Sequence, residues 1–189
     1  MKKFELTSEF ITNIFGTKLF RIKALIEFGN VKAGELGGFV EKEENLNHEG
    51  NAWVYGNAEV YGNARVYGNA SVYGDARVYG NAWVYGNARV CDDARVYGNA
   101  SVYGNARVCG DARVYGNADY ATVHGFGSEY RTTTFFKTKA GEIGVRCGCF
   151  YGNLSEFRKK VVETHGETKK AKEYLMLADL MEFRFSDNS

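Results

Sequence analysis

The chain has 189 residues, which is enough for one substantial domain or for a repeat array with small appended modules. Lys and Arg together number 24 and Asp and Glu 23, and the formal net charge of +1 excludes a global field that would draw the protein to nucleic acid or to an anionic membrane. Glycine is abundant, proline is absent, and 13 Tyr and 13 Phe give an aromatic content of 15%, which together indicate tight turns and exposed rings.

Residues 1–45 are predicted to form an N-terminal cap. Its predicted elements are a short helix from Ser8 to Phe15, an alternating strand from Lys18 to Ile26, and a segment from residue 34 to 40 that leads into the repeats. The first residues lack the apolar run of a secretory signal, and no later stretch reaches the roughly 18 apolar residues of a membrane span. We therefore expect a cytoplasmic protein with no membrane partner, whose four cysteines are thiols rather than a disulfide framework.

A six-residue repeat dominates the predicted second domain, residues 46–125. From Asn51 the chain reads NAWVYG, NAEVYG, NARVYG, NASVYG, DARVYG, NAWVYG, NARVCD, DARVYG, NASVYG, NARVCG, DARVYG and NADY. A period this short is typical of a β-helix. Ala and Val lie two positions apart, as in Ala58 and Val60, so both point into the interior, while the residue between them and the following Tyr point outward. Gly followed by Asn or Asp turns each corner.

Residues 126–189 are predicted to form a C-terminal α+β module that covers the other end of the repeats, since an open β-edge invites polymerisation. The expected elements are strands at 132–138 and 143–150 and helices at 154–164 and 169–183. The last helix has too many apolar residues for one narrow buried stripe. We expect part of it to form a homo-oligomer contact; the alternative is a cap packed wholly within one chain.

The repeats resemble the hexapeptide-repeat β-helix family, in which three hexads make one triangular coil that winds left-handed. The resemblance covers residues 46–120. It departs from the family's enzymes because Tyr stands between the aliphatic residue and the glycine, as in Val60-Tyr61-Gly62. The resemblance implies a mainly β fold with a solenoid of about four triangular coils. The patterns of the flanking segments add a small N-terminal cap and a C-terminal α+β module of two strands and two helices.

A wider resemblance concerns the source of the protein. The segment from Gly34 to Leu46, the YGNARV repeats, the Arg146-to-Phe150 segment RCGCF and Thr164-His165-Gly166 are similar to a group of proteins encoded by phages and prophages of Gram-positive bacteria. This resemblance implies an accessory or host-antagonist role in the cytoplasm of a bacterial host.

A coil of three hexads would place residues i and i+18 above one another, at the strand spacing of about 4.8 Å. Each face of the solenoid then carries two outward columns. The first face has Trp53, Ser71, Arg89 and Arg107 beside Tyr55, Tyr73, Cys91 and Cys109. The second face has Glu59, Arg77, Arg95 and Arg113 beside Tyr61, Tyr79, Tyr97 and Tyr115. The third face has Arg65, Trp83, Ser101 and Asp119 beside Tyr67, Tyr85 and Tyr103.

Stacked guanidinium groups repel one another unless anions, acids or water separate them, and tyrosine rings offer flat surfaces for bases or apolar groups. We therefore predict a surface that binds a host protein, a nucleotide or a nucleic acid. It comprises Arg77, Arg95, Arg113, Tyr61, Tyr79, Tyr97 and Tyr115 on the second face and Arg89 and Arg107 on the first. Two alternatives stay open: the arginines merely cover the wall, and the rings stack to stabilise adjacent coils.

Cys91 and Cys109 fall in one column and could form a disulfide or hold a metal. However, a Cβ spacing of about 4.8 Å exceeds the roughly 3.8 Å of a good disulfide, and two thiolates alone do not make a zinc site. We expect two reduced thiols.

Cys147 and Cys149 flank Gly148 on a predicted strand and should face the same side. With His124 or His165 they could complete a metal site, but packing of small thiols in the core is the favoured interpretation. We predict no metal and no cofactor.

Hexapeptide acyltransferases, which act on acyl-CoA, use a histidine as general base near a cleft between subunits. The available histidines, His48, His124 and His165, all lie outside the coils, and no loop leaves the repeats to form a pocket. His48 and His124 are expected at the junctions with the caps. We therefore predict a non-enzymatic binding or scaffold protein that acts as a host-defence antagonist. The alternatives are an acyltransferase-like enzyme and a structural virion or assembly component.

Overall fold

In the computed structural model, which describes residues 1–127 and 129–186, the repeats form a three-sided β-solenoid. The first face consists of β4 (Trp53–Val54), β7 (Ser71–Val72), β10 (Arg89–Val90) and β13 (Arg107–Val108). The second face contains β5 (Glu59–Val60), β8 (Arg77–Val78), β11 (Arg95–Val96) and β14 (Arg113–Val114). The third face is built from β6 (Arg65–Val66), β9 (Trp83–Val84) and β12 (Ser101–Val102). The predicted mainly β solenoid of about four turns is confirmed.

Three repeats make one rung. Strands of successive rungs pair in parallel, and Arg77 lies beside Arg95 and Val78 beside Val96, eighteen positions on. The alanines and valines of the tube are fully buried, as Ala58 and Val60 show. Burying a valine side chain stabilises the folded state by about 1.5–3 kcal/mol, and every strand of the tube buries one valine.

The corners of the tube are held by glycine and asparagine. Gly74 has a φ of +73°, and a Cβ at that position would lie 2.9 Å from the backbone nitrogen of Asp92 on the next rung, so a side chain is excluded. At another corner the side-chain Nδ2 of Asn69 donates to the side-chain Oδ1 of Asn87 at 3.2 Å, and Nδ2 of Asn87 donates to Oδ1 of Asn105 at the same distance. These amide ladders satisfy the polar groups that a tight corner exposes.

The N-terminal cap is a β-hairpin followed by a third strand: β1 (Phe4–Thr12), β2 (Lys18–Ala24) and β3 (Leu36–Val40). β1 pairs antiparallel with β2, β2 with β3, and β3 pairs in parallel with β5, so the cap continues the second face. The predicted helix from Ser8 to Phe15 is wrong. Phe4, Leu6 and Phe10 alternate with polar residues, and the cross-strand hydrogen bonds to β2 favour an extended chain.

Trp53, predicted as an outward residue, is fully buried. The hairpin covers the open end of the tube, and the rings of Phe4 and Phe28 contact Trp53 edge-on at 6.2 and 5.3 Å between centroids. Lys3 is buried beside it, with Nζ donating to the carbonyl of Ala52 at 2.9 Å. Burial lowers the pKa of the Lys3 ammonium to about 8.

The C-terminal module has four strands where two were predicted. They are β15 (Tyr120–Phe126), β16 (Arg131–Lys137), β17 (Ile143–Cys147) and β18 (Phe150–Asn153), antiparallel in chain order. The predicted strand 143–150 is a hairpin instead, because Gly148 at φ +59° turns the chain. The helices are α1 (Leu154–His165) and α2 (Lys169–Phe185), and no helix of the described ranges is long and apolar enough to span a membrane.

The module seals the second end of the tube. Phe136 and Tyr120 belong to the same buried cluster as the interior alanines and valines. The Tyr120 hydroxyl donates to the carbonyl of Ser101 at 2.7 Å, and the backbone N–H of Arg107 donates to Thr134 Oγ1 at 3.0 Å. The edge of the last rung is therefore hydrogen-bonded to the module rather than left open.

Replacing Ala94 by Leu should destabilise the tube, because the interior has no space for the added carbons. We expect a loss of about 1–3 kcal/mol, measured as a lower urea midpoint by circular dichroism. The control is Arg95→Leu, the same residue placed on the neighbouring outward position. Equal midpoints for the two variants would contradict the packed interior.

Candidate functional site

The tyrosine columns are stacks of rings. On the second face Tyr61 and Tyr79 lie 5.0 Å apart at an interplanar angle of 2°, and Tyr79 and Tyr97 lie 5.1 Å apart at 12°. Tyr115 ends the column, tilted by 64° to Tyr97 and 62% exposed. The rings stack as the alternative interpretation expected, and the faces of the inner rings contact other rings rather than solvent.

The ring stack also affects protonation. Burial, with a smaller effect of neighbouring Tyr79, raises the pKa of Tyr61 to about 12. The phenol therefore stays neutral over the ordinary pH range and does not add negative charge beside the arginines.

The second-face arginines are balanced by acids and backbone carbonyls. Arg77 Nε lies 3.4 Å from Glu59 Oε1, and Arg113 Nη1 donates to the carbonyl of Ala112 at 2.8 Å. In addition, an aspartate precedes each of the three arginines by two residues, at Asp75, Asp93 and Asp111. These carboxylates supply the acids that stacked guanidinium groups require, so the second face carries no excess of positive charge.

The first face has a different electrostatic character. A groove of about 250 Å³ lies between its last two rungs and the C-terminal module, and it is lined by Asn87, Arg89, Asn105, Arg107, Arg131, Thr132 and Gly148. Arg89 and Arg107 are register neighbours on β10 and β13, while Arg131 is the first residue of β16. No carboxylate is among the residues found to line this groove.

Several contacts fix the groove. Arg107 is held at its backbone by Thr134, and its Nη1 lies 3.5 Å from the carbonyl of Gly148. Arg131 is 3.9 Å from Glu129, and both side chains are more than half exposed, so this ion pair neutralises little of its charge. The corner that precedes Arg89 and Arg107 carries asparagine, whereas the corner that follows them carries Asp92, Asp93 and Asp111, which are not among the residues found to line the groove.

Sequence reasoning placed Arg89 and Arg107 in one column but missed Arg131. The structure brings these three together and leaves Arg77, Arg95 and Arg113 on another face. Arg131 lies outside the repeats, where no period relates it to the other two. Only the docking of β16 against the last rung brings it to the groove.

Cys91 and Cys109 form a disulfide, so the expectation of two reduced thiols is wrong. Their Cα atoms are 4.6 Å apart, within the range of about 4.4–6.8 Å for disulfides. The estimate from strand spacing assumed parallel Cα–Cβ bonds, whereas neighbouring side chains in a column can converge.

Cys147 and Cys149 do not share a strand face, because the turn at Gly148 separates them. Cys147 is half-buried and its Sγ accepts a hydrogen bond from the Thr133 hydroxyl at 3.1 Å, while Cys149 is exposed. Both cysteines line a cavity of about 290 Å³, and His165 is another residue of its lining.

His48 lines a groove of about 570 Å³ at the N-terminal end of the third face, together with Trp83. Its Nδ1 accepts from the backbone N–H of Lys3 at 3.2 Å, and its Nε2 lies 3.5 Å from Glu43 Oε2. The ring also stacks on Phe4 at 4.3 Å between centroids. Both ring nitrogens have partners, so neither presents a free lone pair to the groove. The Nδ1 atom of His124 lies 3.1 Å from the Thr132 hydroxyl, within hydrogen-bond distance.

These features define a repeat β-solenoid protein that is capped at both ends and has a basic groove on one face. Its repeats match the family model described as the YdcK beta solenoid repeat, at residues 58–74, 70–86, 82–98, 88–104 and 106–118. The matched segments lie within the tube and leave both caps outside. No curated protein matches the chain.

The raised pKa of Tyr61 predicts a loss of stability at alkaline pH. Its folded-state value of about 12 lies above the usual 10, so its contribution is complete below pH 10 and is lost as the pH rises towards 12. The urea midpoint of the native protein should fall more steeply over this interval than that of Tyr61→Phe, measured by circular dichroism. Parallel curves for the two proteins would contradict the burial of this phenol.

Proposed function

We propose that the protein is a non-enzymatic binding protein that holds a phosphate-bearing ligand, a nucleotide or a nucleic acid, in the groove of Arg89, Arg107 and Arg131. The proposal is carried by one observation: three guanidinium groups from two rungs and the C-terminal module line one concavity without a carboxylate in its described lining. Guanidinium groups pair with phosphate oxygens through two parallel hydrogen bonds, which makes arginine well suited to this ligand.

The volume of the groove limits what it encloses. At about 250 Å³ it is smaller than the roughly 300–1,000 Å³ of pockets that enclose drug-sized ligands. A phosphate or diphosphate group would fill it, and the rest of the ligand would lie along the solenoid wall. The amides of Asn87 and Asn105 add neutral donors, and a bound anion would relieve the repulsion among the three guanidinium groups.

The surroundings of the groove favour binding without turnover. Its described lining holds no histidine, cysteine or carboxylate that could act as a general base or nucleophile. The acyltransferase alternative would require His48 to break a hydrogen bond at Nδ1 or its contact with Glu43 before it could take a proton.

The resemblance to phage-encoded proteins supports a role as an antagonist of a host defence system in the bacterial cytoplasm. A protein that sequesters a nucleotide or occludes a nucleic acid needs affinity and a rigid scaffold, and it does not need to catalyse a reaction. Backbone hydrogen bonds between the rungs hold Arg89 and Arg107 at a fixed spacing. The conformational entropy that these residues would lose on binding a ligand is therefore small.

The same scaffold has a second surface, on α2, that fits self-association. Met176, Leu180 and Phe183 are 70%, 53% and 74% exposed, although they lie on a helix whose opposite face is buried. Their spacing of four and three residues aligns them in one stripe. An apolar stripe of this kind on a charged helix often marks an interface.

We infer that a second copy of the chain covers this stripe, with the two α2 helices antiparallel across a two-fold axis. When Met176 of one copy faces Leu180 of the other, the same alignment brings Glu173 to within one residue of the position opposite Arg184 at one flank. Two-fold symmetry forms this ion pair twice. The helix therefore matches a second copy of itself in charge as well as in polarity.

Loss of the groove arginines should weaken anion binding strongly. We expect the Arg89→Gln, Arg107→Gln, Arg131→Gln variant to bind ATP and a fluorescent single-stranded DNA about tenfold more weakly or worse, by calorimetry and anisotropy, because charge-assisted hydrogen bonds are lost. Inorganic phosphate, titrated in parallel, tests whether the phosphate group alone suffices. The matched control removes three charges from the second face, as Arg77→Gln, Arg95→Gln and Arg113→Gln, and should bind within about twofold of the native protein.

Three results would count against the groove. Binding lost only in the second-face variant would move the site there. No binding of any of the three probes would exclude a phosphate-bearing ligand. Acetyl-CoA turnover that disappears in His124→Ala would establish the acyltransferase instead.

The α2 contact predicts a dimer of twice 21.1 kDa by light scattering. Met176→Glu with Leu180→Glu should give a monomer, because it buries like charges at the interface. Glu173→Arg and Arg184→Glu should each weaken the dimer, and together they should restore it. Val162→Glu, on the exposed side of α1, serves as the control. A monomeric native protein would contradict the contact, and an open-ended polymer would favour a structural assembly component.

A further inference from the structure

Three departures from the repeat occur at one place on the first face. Every other complete hexad from Asn51 onward ends in Tyr-Gly, whereas Cys91-Asp92 and Cys109-Gly110 replace that pair on successive rungs. Cys91 and Cys109 are eighteen positions apart and therefore stack in one column. Substitutions that interrupt a regular repeat in sequence thus come together in space.

The three side chains form one cluster. The two sulfur atoms and a carboxylate oxygen of Asp92 all lie within 4.8 Å of one another, and this is the group of potential metal ligands that the described part of the chain contains. The Asp92 carboxylate is held in place by the backbone N–H of Gly110, which donates to Oδ2 at 3.0 Å. The cysteines are 3% exposed, while Asp92 is exposed.

The backbone at position 92 suits glycine better than aspartate. Asp92 has a φ of +59°, in the left-handed region that favours the glycine found at the equivalent corners. Tyrosine in place of the cysteines would continue the column of Tyr55 and Tyr73. A local sequence that departs from what the repeat favours points to a chemical role.

We propose that the reduced protein binds a zinc-class divalent metal ion through the thiolates of Cys91 and Cys109 and the carboxylate of Asp92. A cellular dithiol supplies two electrons and two protons to the disulfide, and it becomes a disulfide itself. The metal ion then displaces the two thiol protons to solvent as two S–metal bonds form. Thiolates select zinc-class ions, and the fourth tetrahedral position remains for water.

The charge of the surroundings suits this assignment. Two thiolates and a carboxylate exceed the charge of a divalent ion by one negative charge. Arg89 and Arg107 precede the two cysteines by two residues and point outward on the same face, so they offset that charge and favour the thiolate form. None of the three metal ligands is among the residues found to line the neighbouring groove.

The test uses the full chain with Cys147→Ser and Cys149→Ser, which removes the other two thiols. After reduction with a phosphine, this protein is titrated with Cd²⁺, and the sulfur-to-metal charge-transfer absorbance is recorded, followed by competition with Zn²⁺. We expect one ion per chain in the reduced protein and none in the disulfide form. Asp92→Asn should weaken binding by about tenfold or more, as loss of a coordinating group does.

The matched control removes the three ligands without enlarging the buried side chains, as Cys91→Ser, Asp92→Gly and Cys109→Ser in the same background. Circular dichroism should show that this variant folds, and it should bind no Cd²⁺. If the reduced background bound Cd²⁺ no tighter than this ligand-free variant, the metal site would be overturned. Unchanged affinity in Asp92→Asn would overturn the three-ligand assignment.

Discussion

The parallel backbone hydrogen bonds between rungs are the constraint on which the rest of the molecule depends. Each outward residue donates its N–H to the carbonyl seventeen residues on, as Arg77 does to Ala94 and Tyr79 to Val96. These bonds set each residue beside the one eighteen positions on, as Arg77 lies beside Arg95. Since the repeat is six residues long, the register stacks like upon like. Valine on valine, tyrosine on tyrosine and asparagine on asparagine are favourable stacks, whereas arginine on arginine is not.

The two arginine faces show how the protein manages that unfavourable stack. On the second face an aspartate occupies the neighbouring corner and Glu59 begins the column, so the positive charge is balanced locally. On the first face the corner is an asparagine ladder, which satisfies the turn without adding charge. The corner that precedes the arginines thus differs between the two faces, with aspartate before the second face and asparagine before the first.

The caps do more than close the tube. At the N-terminal end Lys3 donates to a carbonyl of the first rung, and aromatic residues cover Trp53. At the C-terminal end β16 accepts the hydrogen bond of the last first-face strand and also brings Arg131 to the groove. The contact that covers the last rung therefore also completes the candidate site.

The sequence by itself determined the tube: its interior of Ala and Val, its three faces, its register and the columns of Tyr and Arg. These follow from the period because each rung contacts only its neighbours, so the interactions repeat with the sequence. Tertiary structure alone decided the strand at Phe4–Thr12, the burial of Trp53, the Cys91–Cys109 disulfide and the place of Arg131. Each of these features depends on contacts outside the repeat: strand pairing in the hairpin, the covering of a tube end, the convergence of two side chains and the docking of a distant strand. Such contacts produce no periodic pattern in the sequence.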